Sequence, residues 1–314
     1  MNTMMAIGIM LLPATLWTAG RVGTTQAQDI VSYGKQCAAE ISPVPAFDCT
    51  KGTVAAVTVD GVKPPSFQPK MTCDRPSLLP YGPEAAGQCV PYSRALVLLD
   101  NGKVQISAFC REKQIRSSDT HFYDEIDVIA HSVTTGKTCW FQATGSQDRP
   151  IDGTRVPPPE TAAAASFWNP PKRTAAGKCV TCHDGGPFVY SPFIAQTGQM
   201  PEDPLGKYSN AIGIDFLKWP QPLTISVEGN TCLGCHRIGS MNSCTTMIHQ
   251  AIGTPTQDDD HWALLYPNSH WMPPGNWLTS DVWRVVYKES VEKLSACCAN
   301  HAAPGCTISK IPAE

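Results

Sequence analysis

The chain has 314 residues, enough for one or two domains with a substantial core. Net charge is −3 and only 16% of residues are charged, which excludes the basic footprint of a nucleic-acid binder and a long acidic tail. Fourteen cysteines, 28 prolines and 24 glycines point to long ordered loops and an oxidising compartment.

The first segment, MMAIGIMLLPATLWTAG, is apolar and about as long as a signal h-region. Small residues Thr25 and Ala27 lie just before a cleavage point at Gln28 or Asp29. The opening MNT lacks Lys and Arg, and Pro13 interrupts a run already short for a bilayer span. Residues 1–28 are therefore expected to be a signal peptide. The mature chain is expected to be exported, periplasmic or extracellular, with no transmembrane span.

Residues 29–160 hold six cysteines and read as a disulfide-rich, β-containing domain. ALVLLDNGKVQISAFC places two apolar-alternating runs around Asn101-Gly102, a strong hairpin signal. IDVIAHSVTTGKTCWFQA repeats the arrangement around Thr135-Gly136. VKPPSFQPK and RPSLLPYGPE are too rich in proline for strand interiors and read as loops. DGTRVPPPETAAAAS (152–166) reads as a linker, and a second domain is expected over 161–314. Its clearest element is a helix in LTSDVWRVVYKESVEKLSACC, capped by Thr279 or Ser280. Trp283, Val286, Tyr287, Val291 and Leu294 fall on one face of it.

Two motifs carry chemistry: CVTCH at 179–183 and CLGCH at 232–236. Covalent haem attachment needs two thiols at fixed separation and an imidazole on the next residue, and Cys-x-x-Cys-His supplies all three. Cys179 and Cys182 would hold one haem with His183 proximal, and Cys232 and Cys235 the other with His236 proximal. A split Cys₄ zinc site usually spaces its pairs by about 15–20 residues, whereas 183–231 intervene here. Zinc also leaves the two histidines unexplained, and a thioredoxin-like dithiol lacks its βαβ setting. Both remain as alternatives. The other ten cysteines allow five disulfides. The simplest neighbouring pairs are Cys37–Cys49, Cys73–Cys89 and Cys110–Cys139, while adjacent Cys297 and Cys298 go to different partners among Cys244 and Cys306. DGG after His183 reads as a turn, and QDDDH (257–261) as a solvated loop rather than a calcium site.

From about 165 to 298 the chain resembles a dihaem c-type cytochrome. After CLGCH come HWMPPGNW and the amphipathic helix, where family members place a distal methionine ahead of a C-terminal helix. The resemblance implies an α+β chain, with a mainly α-helical, loop-rich cytochrome c-like domain following the β-containing one. It implies two haem c groups, their iron, and Met272 as sixth ligand of the second haem, with His270 as local rival. The first haem departs from the pattern: Met200, followed by Pro201, His131 and His270 are its distal candidates, and an open position is a further one. The implied function is electron carriage between redox partner proteins. The alternative is a dihaem redox enzyme, a peroxidase or sulfur-compound dehydrogenase, using an open site on the first haem. The β-containing domain matches no family, and a docking role for it is compatible with carriage.

Overall fold

A computed structural model describes residues 28–77, 88–209, 211–248, 272 and 278–311. Residues 1–27 of the expected signal peptide, His270 and the acidic 257–261 stretch lie outside the described residues.

The first half is built on a five-stranded antiparallel sheet in the order β1-β2-β3-β5-β6. Its strands are β1 (Thr53–Val54), β2 (Arg94–Asp100), β3 (Val104–Arg111), β5 (Glu125–Ser132) and β6 (Thr138–Thr144), with β4 (Phe122–Tyr123) and β7 (Ile151–Asp152) pairing separately. Both expected hairpins form, β2–β3 around Gly102 and β5–β6 around Gly136, each glycine at positive φ. Asn101 Oδ1 accepts from the amides of Lys103 and Val104, which closes the first turn locally.

A side-chain period of two divides β6 between the two faces. Cys139 and Phe141 meet helix α1 (Ile30–Glu40): Cys37 bonds to Cys139 and the Tyr33 ring lies 5.1 Å from Phe141. Thr138 and Trp140 point to the opposite face with His131 of β5, and this face receives the segment carrying the first motif. Helix α1 forms because Asp29 caps it, accepting from the Ser32 amide, while Ile30, Tyr33 and Cys37 supply the buried stripe.

One core extends from Ile30 through the sheet to Trp168, Ala175, Tyr208, Phe216 and Ile311, so residues on both sides of 160 share it. A second, smaller core holds Ile225, Val227, Cys244, Trp283, Leu294 and Cys297. The described part of the second half is not mainly helical. Short helices α2 (Pro171–Ala176) and α3 (Pro192–Ala195) and single 3-10 turns are followed by a three-stranded sheet in the order β10-β8-β9. Here β8 is Leu223–Val227, β9 Ile238–Gly239 and β10 Cys306–Lys310. LTISV and CTISK both alternate β-branched with polar residues and pair antiparallel, which outweighs the helical expectation. The one long helix among the described residues, α4 (Ser280–Ala299), falls where the periodicity placed it. It buries Trp283 and Leu294, but Val286 is 59% exposed and does not belong to the buried stripe. Thr279 is the cap residue through its backbone, accepting from the Trp283 amide without a side-chain cap bond.

Five disulfides form: Cys37–Cys139, Cys49–Cys110, Cys73–Cys89, Cys244–Cys298 and Cys297–Cys306. The Cys73–Cys89 pair and the separate partners of Cys297 and Cys298 match expectation. Cys37–Cys49 and Cys110–Cys139 do not. Helix α1 presents Cys37 to β6, and the 3-10 turn at Cys49 lies against β3, so each bond joins a non-sheet segment to a strand. No helix among the described residues is long and apolar enough to cross a membrane.

Candidate functional site

The cysteines divide cleanly: with ten in disulfides, Cys179, Cys182, Cys232 and Cys235 are the free ones. Each motif begins with a 3-10 turn, Cys179–Thr181 and Thr231–Gly234. In the first, the amides of Cys182 and His183 both donate to the Cys179 carbonyl, at 3.1 and 2.9 Å. Residues three and four apart on a helical turn share a side, which places Cys182 and His183 on the side of the turn that carries Cys179. Val180 is buried and anchors the turn, and Lys178 enters it at φ 50°. A left-handed non-glycine residue costs about 1–2 kcal/mol, a strain that the surrounding fold must hold.

His183 Nδ1 lies 2.8 Å from the Pro187 carbonyl. A carbonyl can only accept, so Nδ1 carries the proton and Nε2 keeps its lone pair. His236 repeats this with the Arg237 carbonyl at 2.8 Å. Both imidazoles are thus set as Nε2 donors to a metal. Burial pushes His183 down to about 4, the Pro187 carbonyl opposes this and Arg111 adds to it, so the ring is neutral at neutral pH. Trp140 walls the ring edge-on, with centroids 4.9 Å apart. Tyr190 stacks near His236, centroids 6.5 Å apart.

Burial pushes the Cys179 thiol up to about 12, with Asp127 adding to the rise and Arg111 opposing it. Cys232 is also raised by burial. Reactive dithiols work through lowered thiol pKa values, so these shifts run against a thioredoxin-like role. Among the described residues no three His, Cys, Asp or Glu side chains converge as a metal-binding group, so the motifs do not pool thiols into a zinc site there.

The second motif is fastened to α4. Asn230 caps its turn, accepting from the Cys232 amide at 2.9 Å and donating to the Ser290 carbonyl at 2.6 Å. The Thr231 and Ser290 hydroxyls are 2.8 Å apart. Cys232 and Leu233 pack on the smaller core beside Trp283, whose indole N–H donates to the Met272 carbonyl. Met272 is thereby tethered to α4, the helix to which the second motif is fastened.

The distal candidates for the first motif are placed differently. His131 is 1% exposed, its Nδ1 is 2.9 Å from Thr138 Oγ1, and the carbonyls of Lys207 and Lys137 also engage its ring. It is a hydrogen-bonded core residue on the sheet face that receives the first motif. Met200 precedes Pro201, whose carbonyl accepts from the Tyr190 hydroxyl at 2.8 Å, so its segment is tied to the ring beside His236.

Three contributors had no signal in the sequence. Trp140 comes from a strand remote from both motifs. Arg111, Glu125 and Asp127 form a buried ion cluster, with Arg111 3.0 Å from each carboxylate, and their charges reach Cys179. Asp184, read as part of a turn, is fully buried and accepts from the Met241 and Ser243 amides beyond the second motif. Such residues are identified by pairing across the fold, which local spacing does not carry.

No family model matches the chain, and neither the curated proteins nor the solved structures contain a match to it.

Proposed function

We propose that the chain is an exported dihaem c-type cytochrome that carries electrons between redox partner proteins. Cys179, Cys182 and His183 would hold one haem, and Cys232, Cys235 and His236 the other. The carrying observation is the sorting of the cysteines: the thiols left out of disulfides are those of the two motifs, each beside an imidazole with Nε2 free. When bound, the haem iron supplies one-electron chemistry between Fe(III) and Fe(II).

The protein's part is to hold and tune. The Nδ1–H bonds of His183 and His236 orient the rings and strengthen their donation. The Trp140 wall and the partial burial of Cys179 would limit water at the first haem, which would favour its less charged ferrous state. The reading rests on these motifs and on α4, not on a helical cytochrome module. Met272 would serve as a ligand of the second haem, since the Trp283 indole holds its carbonyl beside the cluster that includes Cys232. The five disulfides fit the oxidising compartment that export implies.

The enzyme reading is the alternative, using an open position on the first haem; His131 Nδ1 is taken by Thr138 Oγ1 on the sheet face that receives the first motif. Optical and electron paramagnetic spectra of the protein, produced with haem-attachment machinery, separate the cases. Low-spin iron in both oxidation states with no carbon monoxide binding supports carriage. A high-spin fraction that binds carbon monoxide supports the enzyme. A product that keeps no haem colour after denaturation overturns both.

A further inference from the structure

The first motif is joined to the segment that follows the second by a carboxylate that neither motif needs for attachment. Asp184 follows His183 and is fully buried. One oxygen accepts from the Met241 amide at 2.6 Å and the Ser243 amide at 3.3 Å, and the other accepts from the Ser243 hydroxyl. These donors open the helical turn Ser243–Met247, so Asp184 caps that turn from 57 residues away in the chain. No ion pair to Asp184 forms among the described residues, so these hydrogen bonds offset the cost of burying its charge.

The joint has no slack. A Cβ at Gly239 would stand 2.1 Å from the Asp184 carboxyl carbon, so glycine alone permits the approach. Asn242 Nδ2 lies 3.4 Å from Cys182 Sγ. The strand and turn that follow His236 therefore touch both chain neighbours of His183, Cys182 on one side and Asp184 on the other.

We infer that Asp184 is the positioning residue that fixes the second haem site against the first, setting the separation across which electrons pass between them. This rests on the dihaem reading. Asp184 touches neither attachment thiol in its role, so its loss leaves haem attachment intact and loosens the joint.

The test uses the full chain matured with two haems, in wild type and as Asp184→Ala, Asp184→Asn and Ser243→Ala. Intact mass is read first; if wild type carries no haem, the dihaem reading fails, and that failure is separate from this one. With both haems present, spin–spin interaction between the ferric irons is measured by pulsed paramagnetic resonance, alongside the optical spectrum of each haem. Wild type shows one narrow inter-iron distance distribution. Asp184→Ala broadens it while each haem's spectrum is unchanged. Asp184→Asn, whose amide oxygen still accepts from both backbone amides, restores the narrow distribution. Ser243→Ala broadens it less than Asp184→Ala, and decides the matter if Asp184→Ala does not fold. A distribution as narrow as wild type in Asp184→Ala, or in Ser243→Ala where that variant decides, overturns the inference.

Discussion

His131 shows what burial does to one side chain. Its pKa falls from 6.5 to about 4 because burial disfavours the charged ring, and nearby carbonyls only partly oppose this. The folded value lies below the unfolded one, so the associated stability is fully present above 6.5 and is lost as pH falls through 4. At pH 5 the loss amounts to about 2 kcal/mol. Urea unfolding at pH 7 and pH 5 checks this: the difference shrinks in His131→Gln, which does not titrate. Arg111 makes the complementary point. It bridges Glu125 and Asp127 in the sheet, and Arg111→Met leaves two buried carboxylates without their shared cation. Burial opposes ionisation of Glu125, yet Arg111 and Lys113 outweigh it, whereas burial pushes Asp127 up. The substitution is expected to cost about 3 kcal/mol in chemical denaturation. At this scale the two Cys-x-x-Cys-His motifs were legible as candidates because their spacing is local. Their surroundings were not, since Trp140 and Arg111 reach the first motif, and Asp184 reaches the segment after the second, only through tertiary pairing.

Elements with a local cause were also legible. Asn101-Gly102 and Thr135-Gly136 name their turns, and both glycines have φ near +76°, at 77° and 75°. Their surroundings differ. A Cβ at Gly102 meets nothing within 4 Å, while one at Gly136 meets the Tyr208 amide nitrogen at 2.9 Å. Gly102→Ala should therefore cost about 1 kcal/mol, the backbone term alone. Gly136→Ala should cost about 1–3 kcal/mol more, because backbone atoms must move. Thermal unfolding of the two variants side by side checks the difference. Helix α1 carries a usable signal in its Asp29 cap and its Ile30, Tyr33 and Cys37 spacing, within a stretch whose overall pattern reads as β-containing. Strands β8 and β10 are five residues each, and LTISV does not announce whether it will pair or coil until CTISK lies beside it. The helix at 280–299 was legible as an element, and its buried face only in part. Trp283 and Leu294 are covered, while Val286 faces solvent.

The whole molecule is stapled across long stretches of chain. Cys37–Cys139 spans 102 residues and Cys49–Cys110 spans 61, joining α1 and the Cys49 turn to the sheet behind the first motif. Replacing Cys37 and Cys139 together by alanine is expected to cost about 4 kcal/mol, read from the urea midpoint. Neighbouring pairs were the simplest expectation, but sequence distance carries no information on which segments a sheet brings together. The sheet is also more than a neighbour to the motifs. The Trp140 side of the sheet is the wall of the first motif, and β8, β9 and α4 hold the second. Covalent haem on both motifs is what the proposed function stands on. Intact mass spectrometry of the full chain, exported and matured with haem-attachment machinery, reads it out. The expected mass increment is two haems in wild type, and one in the paired variants Cys179→Ala/Cys182→Ala or Cys232→Ala/Cys235→Ala. A mature chain carrying no haem increment would contradict it.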